Sequence, residues 1–339
     1  FEASAMPCES DVFIIAVPTP FKNNGSTIPE PDISYVIKAI QSITPYIRKD
    51  NLIILESTSP VGTTKIVQEE IIQNTSLLEN EINIAYCPER VLPGNIIHEL
   101  VHNDRVIGGL NEKASKVTKN FYSNFCKGRF YLTDSKMAEL VKLTENSYRD
   151  VNIAFANEMS IICHSYDLNV YKLIDLCNQH PRVNILKPGC GVGGHCIAVD
   201  PWFIISRNLD KANLIRMGRE VNLNKTKFVI EKITKTAKSL EEKLNRKPKI
   251  ACLGLTFKPD IDDLRESPAM QITKELISKG LLIYPCDPYI PKDSDIDNYS
   301  LEFILKNVDF FVVLVAHSQF KEISLKEKCY LDFCGIFDG

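Results

Sequence analysis

Between residues 11 and 133 the chain alternates short apolar runs with segments of helical character. The runs 12–17, 52–55, 84–87, 106–109 and 130–133 mostly lack a two-residue alternation of apolar and polar side chains. Strands covered by helices on both faces of a parallel sheet read in this way. Strands separated by helices point to a doubly wound α/β domain. This restricts the amino-terminal part of the chain more than any single motif does.

The character then changes. Residues 129–180 contain neither glycine nor proline. Ala138, Val141, Leu143 and the run 154–162 support long helices there. Much of 202–245 is also helical in character, ending in the charged segment 241–247. At residue 249 a second α/β pattern begins. Strands are expected at 250–255, 282–284 and 310–316, with a helix over 268–279. Ser267 is its natural N-cap, Pro268 suits its first turn and Gly280 ends it. The expected architecture is α/β: two Rossmann-like doubly wound domains joined by a helical middle domain. The expected boundaries are 1–133, 134–240 and 241–339, with the middle segment a candidate spacer or dimer-forming element.

A chain of 339 residues has room for two or three domains, each with its own core. The net charge is −3, with lysines and arginines scattered along the chain. No basic face singles out nucleic acid or an anionic membrane as a partner. The 11 cysteines are spread along the sequence, most of them in apolar settings. That pattern suits reduced thiols in the cytoplasm better than a secreted disulfide framework. The sequons at Asn74, Asn224 and Asn298 are then chance matches. The longest apolar run, 310–316, is far short of the ~20 residues of a membrane helix. No signal peptide is visible. The opening Phe1 and the closing Phe337-Asp338-Gly339 read as the ends of a fragment.

Gly189-Cys190-Gly191-Val192-Gly193-Gly194 has the form G-x-G-x-x-G. A dinucleotide fingerprint requires its third glycine to open a long helix, and Asp200-Pro201 interrupts too soon. What the glycines offer is a backbone that lets a ligand approach Cys196. On the residues alone, Cys196 is either a structural thiol or a nucleophile on a loop ahead of a helix N-terminus. Asp200 is either the N-cap of that helix or part of the site. Lys142 and Asn146, four apart on a helix, are either a solvated pair or a pair facing an oxyanion. His98-Glu99-Leu100-Val101-His102 matches H-E-x-x-H, but the strand-like Arg105-Val106-Ile107-Gly108-Gly109 follows at once, and no metal is expected. The loops Val17-Pro18-Thr19-Pro20, Glu56-Ser57-Thr58-Ser59-Pro60 and Pro88-Glu89-Arg90 each follow a predicted strand, where open α/β sheets bind ligands.

Together these segments resemble the UDP-glucose/GDP-mannose dehydrogenase family. Besides the three loops, the resemblance rests on Glu139-Leu140-Val141-Lys142-Leu143-Thr144-Glu145-Asn146. It rests also on Gly191-Val192-Gly193-Gly194-His195-Cys196-Ile197-Ala198-Val199-Asp200-Pro201, and on Gly254-Leu255-Thr256-Phe257-Lys258-Pro259-Asp260 through Arg265-Glu266-Ser267. Order and approximate spacing hold from about residue 11 to the end. Within the family, His195 before the cysteine, Val199-Asp200-Pro201 after it and the run from Ile84 through Leu92-Pro93-Gly94 are similar to the N-acetylhexosamine branch.

The resemblance implies a four-electron oxidation at C6 of a UDP-N-acetylhexosamine, with NAD as cofactor. UDP-N-acetylmannosamine is the first substrate implied; UDP-N-acetylglucosamine, UDP-N-acetylgalactosamine and UDP-glucose are the alternatives. Cys196 would hold a thiohemiacetal and then a thioester. Lys142 and Asn146 would stabilise the oxyanion, Asp200 and Thr58 would assist proton transfer or water positioning, and Glu89 would be the acid/base. Lys187, Lys258, Arg182 (an arginine the family takes from a neighbouring subunit), Gly193 and Gly194 would hold the nucleotide sugar. Val17, Pro18, Thr19, Ser57, Thr58 and Arg265 would face the cofactor. The resemblance also implies a homodimer or higher oligomer. It puts the phosphate fingerprint and the acidic residue that reads the ribose before Phe1, and further basic residues after Gly339. Without that first βαβ, a non-catalytic nucleotide-sugar-binding module is the alternative. Cys190, six positions before Cys196, is a candidate disulfide partner for it under oxidation.

Overall fold

The computed structural model describes residues 3–22, 25, 28–91, 95–290, 296–325 and 327–337. Leu92, Pro93 and Gly94 of the resemblance, and the closing Asp338 and Gly339, lie outside them. In chain order the elements are β1 (Val12–Ile15), α1 (Ser34–Ile43), β2 (Leu52–Leu55), α2 (Thr63–Gln73), β3 (Asn83–Tyr86), α3 (Ile96–His102), β4 (Arg105–Gly109), α4 (Glu112–Ser123) and β5 (Phe130–Asp134). Four helices follow: α5 (Ser135–Ser165), α6 (Val170–Cys177), α7 (Asp200–Ile205) and α8 (Asn213–Leu244). The chain continues through β6 (Lys249–Leu253), α9 (Pro268–Ser278), β7 (Leu282–Cys286), α10 (Leu301–Asn307), β8 (Phe310–Val313) and β9 (Cys329–Asp332).

Packing divides the chain into two compact units where the sequence suggests three domains. One comprises 1–145 with 202–209, the other 146–201 with 210–339. In the second unit α8 lays Val229, Ile230, Ile233 and Ala237 into the same core as Ile250, Cys252, Ile272 and Phe310.

In the first unit the sheet runs β1-β2-β3-β4-β5. The inner strands β2 and β3 lack alternation because both faces are covered, while β1 leaves Ile14 exposed. Ile53, Leu55, Ile84 and Tyr86 enter one core with Val36, Ile40, Val67 and Ile71 of α1 and α2. Leu52, Ile54 and Ala85 enter another with Ile107 and Tyr122. Each such aliphatic side chain contributes roughly 1.5–3 kcal/mol when fully buried.

One step in this sheet is antiparallel. β3 and β4 are antiparallel and pair only through Ala85 with Gly109 and Tyr86 with Gly108, whereas β1–β2, β2–β3 and β4–β5 are parallel. A parallel return needs a crossover helix that covers the sheet. α3 buries none of its residues, so the chain turns back instead. Gly108 permits the close packing that follows, since a Cβ there would lie 2.4 Å from the Asp134 carbonyl oxygen.

The second sheet is parallel, in the order β7-β6-β8-β9. The chain moves from β6 to β7 on one side, then back to β8 on the other. That reversal beside β6 is the switch point of a doubly wound fold. α9 begins as expected: Ser267 Oγ accepts from the Met270 amide at 3.2 Å. β9 was not legible as a strand, because Cys-Tyr-Leu-Asp is a half-exposed edge without an apolar run. Within the second unit α5 and α8 are joined by a buried ion pair, Arg219 to Asp150 at 2.6 Å. Asn222 donates to the same carboxylate at 2.9 Å. Among the described residues no helix is long and apolar enough to cross a membrane.

Candidate active site

In the second unit Cys196 is an exposed thiol on the loop before α7. Its carbonyl accepts from the amides of Val199 at 3.1 Å and Asp200 at 2.8 Å, and these bonds turn the chain into the helix. α7 starts at Asp200 itself, one residue earlier than the capping reading implies. The Asp200 carboxylate is buried and accepts from Asn146 Nδ2 at 2.5 Å.

Gly193 and Gly194 of this loop lie against the 257–268 segment. A Cβ on Gly193 would lie 2.5 Å from the Glu266 carbonyl oxygen, and one on Gly194 would lie 2.8 Å from the Phe257 ring. Gly194 also has φ +85°, and its amide donates to the Arg265 carbonyl at 3.1 Å. These glycines let the cysteine loop pack on the 257–268 segment. Turns, not a helix, connect Gly194 to Asp200, so the formal G-x-G-x-x-G is no dinucleotide fingerprint.

The 257–268 segment also carries Arg265. Its guanidinium grips Asp263 through Nε at 3.0 Å and Nη2 at 2.7 Å, and the Cys196 thiol lies within its electrostatic reach. Lys258 is exposed on the loop that leaves β6. That loop is fixed from below by residues the sequence reading missed. Asp287 Oδ2 accepts from the amides of Leu255 at 2.6 Å and Thr256 at 3.1 Å. His317 Nδ1 accepts from the Asp260 amide at 3.0 Å. An amide can only donate, so the His317 proton is on Nε2, which donates to Asp287 Oδ2 at 3.0 Å. Both side chains are fully buried. Their one signal in sequence is a polar residue closing each of two apolar strands. Lys187 and Arg182 are exposed on the segment before the glycine loop.

Cys190, the candidate disulfide partner of Cys196 under oxidation, is not bonded to it in this structure. Cys190 is a core residue whose Sγ donates to the Leu314 carbonyl at 2.8 Å. The thiol hydrogen-bonded to it is Cys334. None of the 11 cysteines is in a disulfide.

In the first unit the loops after β1 and β2 brace each other. Thr19 Oγ1 donates to the Thr58 carbonyl at 2.7 Å, and Ser57 Oγ donates to the Val17 carbonyl at 2.7 Å. Buried Glu139 accepts from the Gly62 amide at 2.5 Å, and from the Thr64 amide at 2.7 Å and hydroxyl at 2.6 Å. It thereby anchors the start of α2 and the loop in front of it. Glu89 is half-buried beyond β3, and Lys142 Nζ donates to its carbonyl at 2.9 Å. Lys142 and Asn146 are both buried, which excludes the solvated reading, and each has its own partner within its own unit. His98 and His102 stack at 4.3 Å on the exposed α3, with His102 Nδ1 2.8 Å from the His98 carbonyl. Among the described residues no group of three or more His, Cys, Asp or Glu is placed to hold a metal ion.

Three family models match the chain. The NAD binding domain of the UDP-glucose/GDP-mannose dehydrogenase family covers residues 2–126, its central domain 136–224 and its UDP binding domain 251–339. UDP-N-acetyl-D-mannosamine dehydrogenase of Campylobacter jejuni is 48% identical over 338 residues, 95% of this chain and 81% of that protein. The chain belongs to the UDP-glucose/GDP-mannose dehydrogenase family.

It is therefore an NAD-dependent oxidoreductase acting on a UDP-sugar. NDP-N-acetyl-D-galactosaminuronic acid dehydrogenase of Ralstonia nicotianae is 43% identical, covering 99% of this chain and 81% of that one. The solved structure of a UDP-D-ManNAc dehydrogenase from Pyrococcus horikoshii superposes with a TM-score of 0.87 at 38% identity, over 98% of this chain and 79% of that one. The first unit fits the family's cofactor. The loops at the carboxyl edge of β1 and β2 are held by their own buried hydroxyls, which leaves a rigid edge with Pro18 exposed and Thr58 half-exposed.

Proposed function

We propose that this protein oxidises the C6 alcohol of UDP-N-acetyl-D-mannosamine to the uronate in two steps on Cys196. The observation that carries the reading is the exposed Cys196 thiol on a braced loop with Arg265 in reach. The 48% identity to a UDP-N-acetyl-D-mannosamine dehydrogenase supports the choice of sugar. NAD, held by Val17, Pro18, Thr19, Ser57 and Thr58, would accept one hydride in each oxidation.

In this account the alcohol loses a proton and a hydride to become the aldehyde. The Cys196 thiolate adds to the aldehyde carbon, and the oxygen takes a proton to give the thiohemiacetal. Loss of a second hydride and a proton leaves the thioester. Water then attacks its carbonyl, the C–S bond breaks and Glu89 receives the proton from water. Lys142 and Asn146 stabilise the negative oxygen. Asp200, fixed by Asn146, assists proton transfer and Thr58 positions water. Arg182, Lys187 and Lys258 supply charge for the diphosphate, and Arg265 faces the cofactor. Gly193 and Gly194 serve the substrate site by seating the loop. The segments 1–133, 134–240 and 241–339 correspond to cofactor, middle and UDP-sugar functions.

We infer further that the enzyme works in the cytoplasm as a homodimer or larger oligomer. Tyr148, Phe155 and Ile162 are exposed at seven-residue spacing on α5, a stripe suited to a second copy. A substrate panel of UDP-N-acetylmannosamine, UDP-N-acetylglucosamine, UDP-N-acetylgalactosamine and UDP-glucose tests the sugar assignment. The highest kcat/KM belongs to UDP-N-acetylmannosamine on this reading, and a clear preference for another sugar overturns it.

A further inference from the structure

Arg105 opens β4, yet its side chain is only 5% exposed, beneath the carboxyl end of β3. Four contacts fix the guanidinium. It lies over the Tyr122 ring at 4.4 Å from the centroid. Nη2 donates to the Leu100 carbonyl at 3.3 Å, and Nη1 donates to Cys87 Sγ at 3.9 Å. Nη2 also lies 3.9 Å from Glu89 Oε2. A buried cation requires a counter-charge.

The surrounding groups do not supply one equally. Burial pushes the Cys87 thiol up to about 11, so it is neutral. Burial, with Cys87 and Glu56 nearby, keeps the Tyr122 phenol protonated. Its O–H donates to Glu56, whose proton affinity burial raises, with Glu89 adding to that effect. Glu89 is the carboxylate within ion-pair distance of the guanidinium. Its other oxygen accepts from the Arg90 amide at 2.6 Å, and Lys142 holds its carbonyl. One carboxylate oxygen is thus held by an amide and the other faces the guanidinium.

We propose that Arg105 is the positioning residue for Glu89, holding the carboxylate in the orientation from which it takes a proton from the water that hydrolyses the thioester. This rests on the base role assigned to Glu89 above. In that step the water oxygen bonds to the acyl carbon and the C–S bond breaks. The sulfur leaves as thiolate, the proton passes to Glu89, and no electrons are exchanged. Arg105 touches neither sugar nor cofactor in this account, so its loss slows hydrolysis and leaves both hydride transfers intact.

The test is rapid-mixing absorbance for NADH together with intact-protein mass spectrometry of the quenched enzyme, using whichever UDP-sugar the wild type turns over. Arg105→Gln is expected to release two NADH per active site in a burst. Steady turnover then falls at least tenfold, and the acyl group accumulates on Cys196. Glu89→Gln shows the same pattern, and the double variant is no slower than the slower single one. Arg105→Lys keeps the buried cation and tests the fork alone should the glutamine variant fail to fold; it also accumulates acyl-enzyme. Circular dichroism melts separate loss of fold from loss of hydrolysis. Arginine variants that fold and turn over without acyl-enzyme, or losses that add in the double variant, overturn the proposal. If Glu89→Gln itself accumulates none, the base reading fails instead.

Discussion

Asn146 Nδ2 lies 2.5 Å from Asp200 Oδ2, and both side chains are buried. The amide can only donate along that line, so it holds a carboxylate in place at the start of α7. The sequence puts the two residues more than fifty positions apart, and each has a simple alternative when read alone. Asn146→Ala removes a donor from a buried carboxylate, which costs about 1–3 kcal/mol of stability. Asn146→Asp sets two carboxylates against each other and lowers the melting temperature further at neutral pH. Thermal melts of the two variants, compared with kcat, check that order.

Gly193→Ala tests whether the glycine loop is seated by packing. Its Cβ would meet the Glu266 carbonyl oxygen at 2.5 Å, so the Cys196 loop must shift away from the 257–268 segment. Activity is expected to fall at least tenfold, since small displacements of a reacting group cost about a hundredfold in rate. The melting temperature should move by only a few degrees. Wild-type kcat would show that the loop does not rely on this contact.

Acid should release the loop that carries Lys258. Burial disfavours the Asp287 carboxylate, but the hydrogen bond from His317 and the amides of Leu255 and Tyr289 outweigh it and lower its pKa below the usual 3.8. A carboxylate with a lowered folded value contributes stability above its unfolded pKa. That contribution disappears as pH falls through the folded value. Asp287→Asn is therefore less stable than wild type at pH 7, and the gap narrows below about pH 4. Urea denaturation at both pH values measures it. A gap independent of pH would show that Asp287 is not ionised in the folded state.

Glu139 anchors the first turn of α2 from a helix distant in sequence. Glu139→Gln keeps the size but replaces a charged acceptor with a neutral one, and about 1–2 kcal/mol of stability should go with it. The KM for NAD should rise, because Gly62 follows the loop that holds Ser57 and Thr58. An unchanged KM would confine Glu139 to a structural role.

Much of this fold was legible because strands such as Leu52–Leu55 feed alternate residues into two cores and so must be apolar throughout. Cys196, Asp200, Lys142 and Asn146 were legible as motif positions, but their partners were not. Arg105 escaped notice because a lone charge at the start of a strand usually points to solvent, and only the packing shows it buried. Asp287 and His317 follow β7 and β8, which flank β6 in one sheet, and only the fold brings them together. The antiparallel step at β4 depends on α3 failing to cover the sheet, a property of packing that periodicity does not report.

The most direct test of the account is the yield of NADH per UDP-N-acetylmannosamine consumed, measured to completion for wild type and Cys196→Ser. Two NADH per sugar from the wild type, with no net oxidation to the acid by the serine variant, is the predicted result. One NADH per sugar, or a serine variant that completes the oxidation, would contradict it.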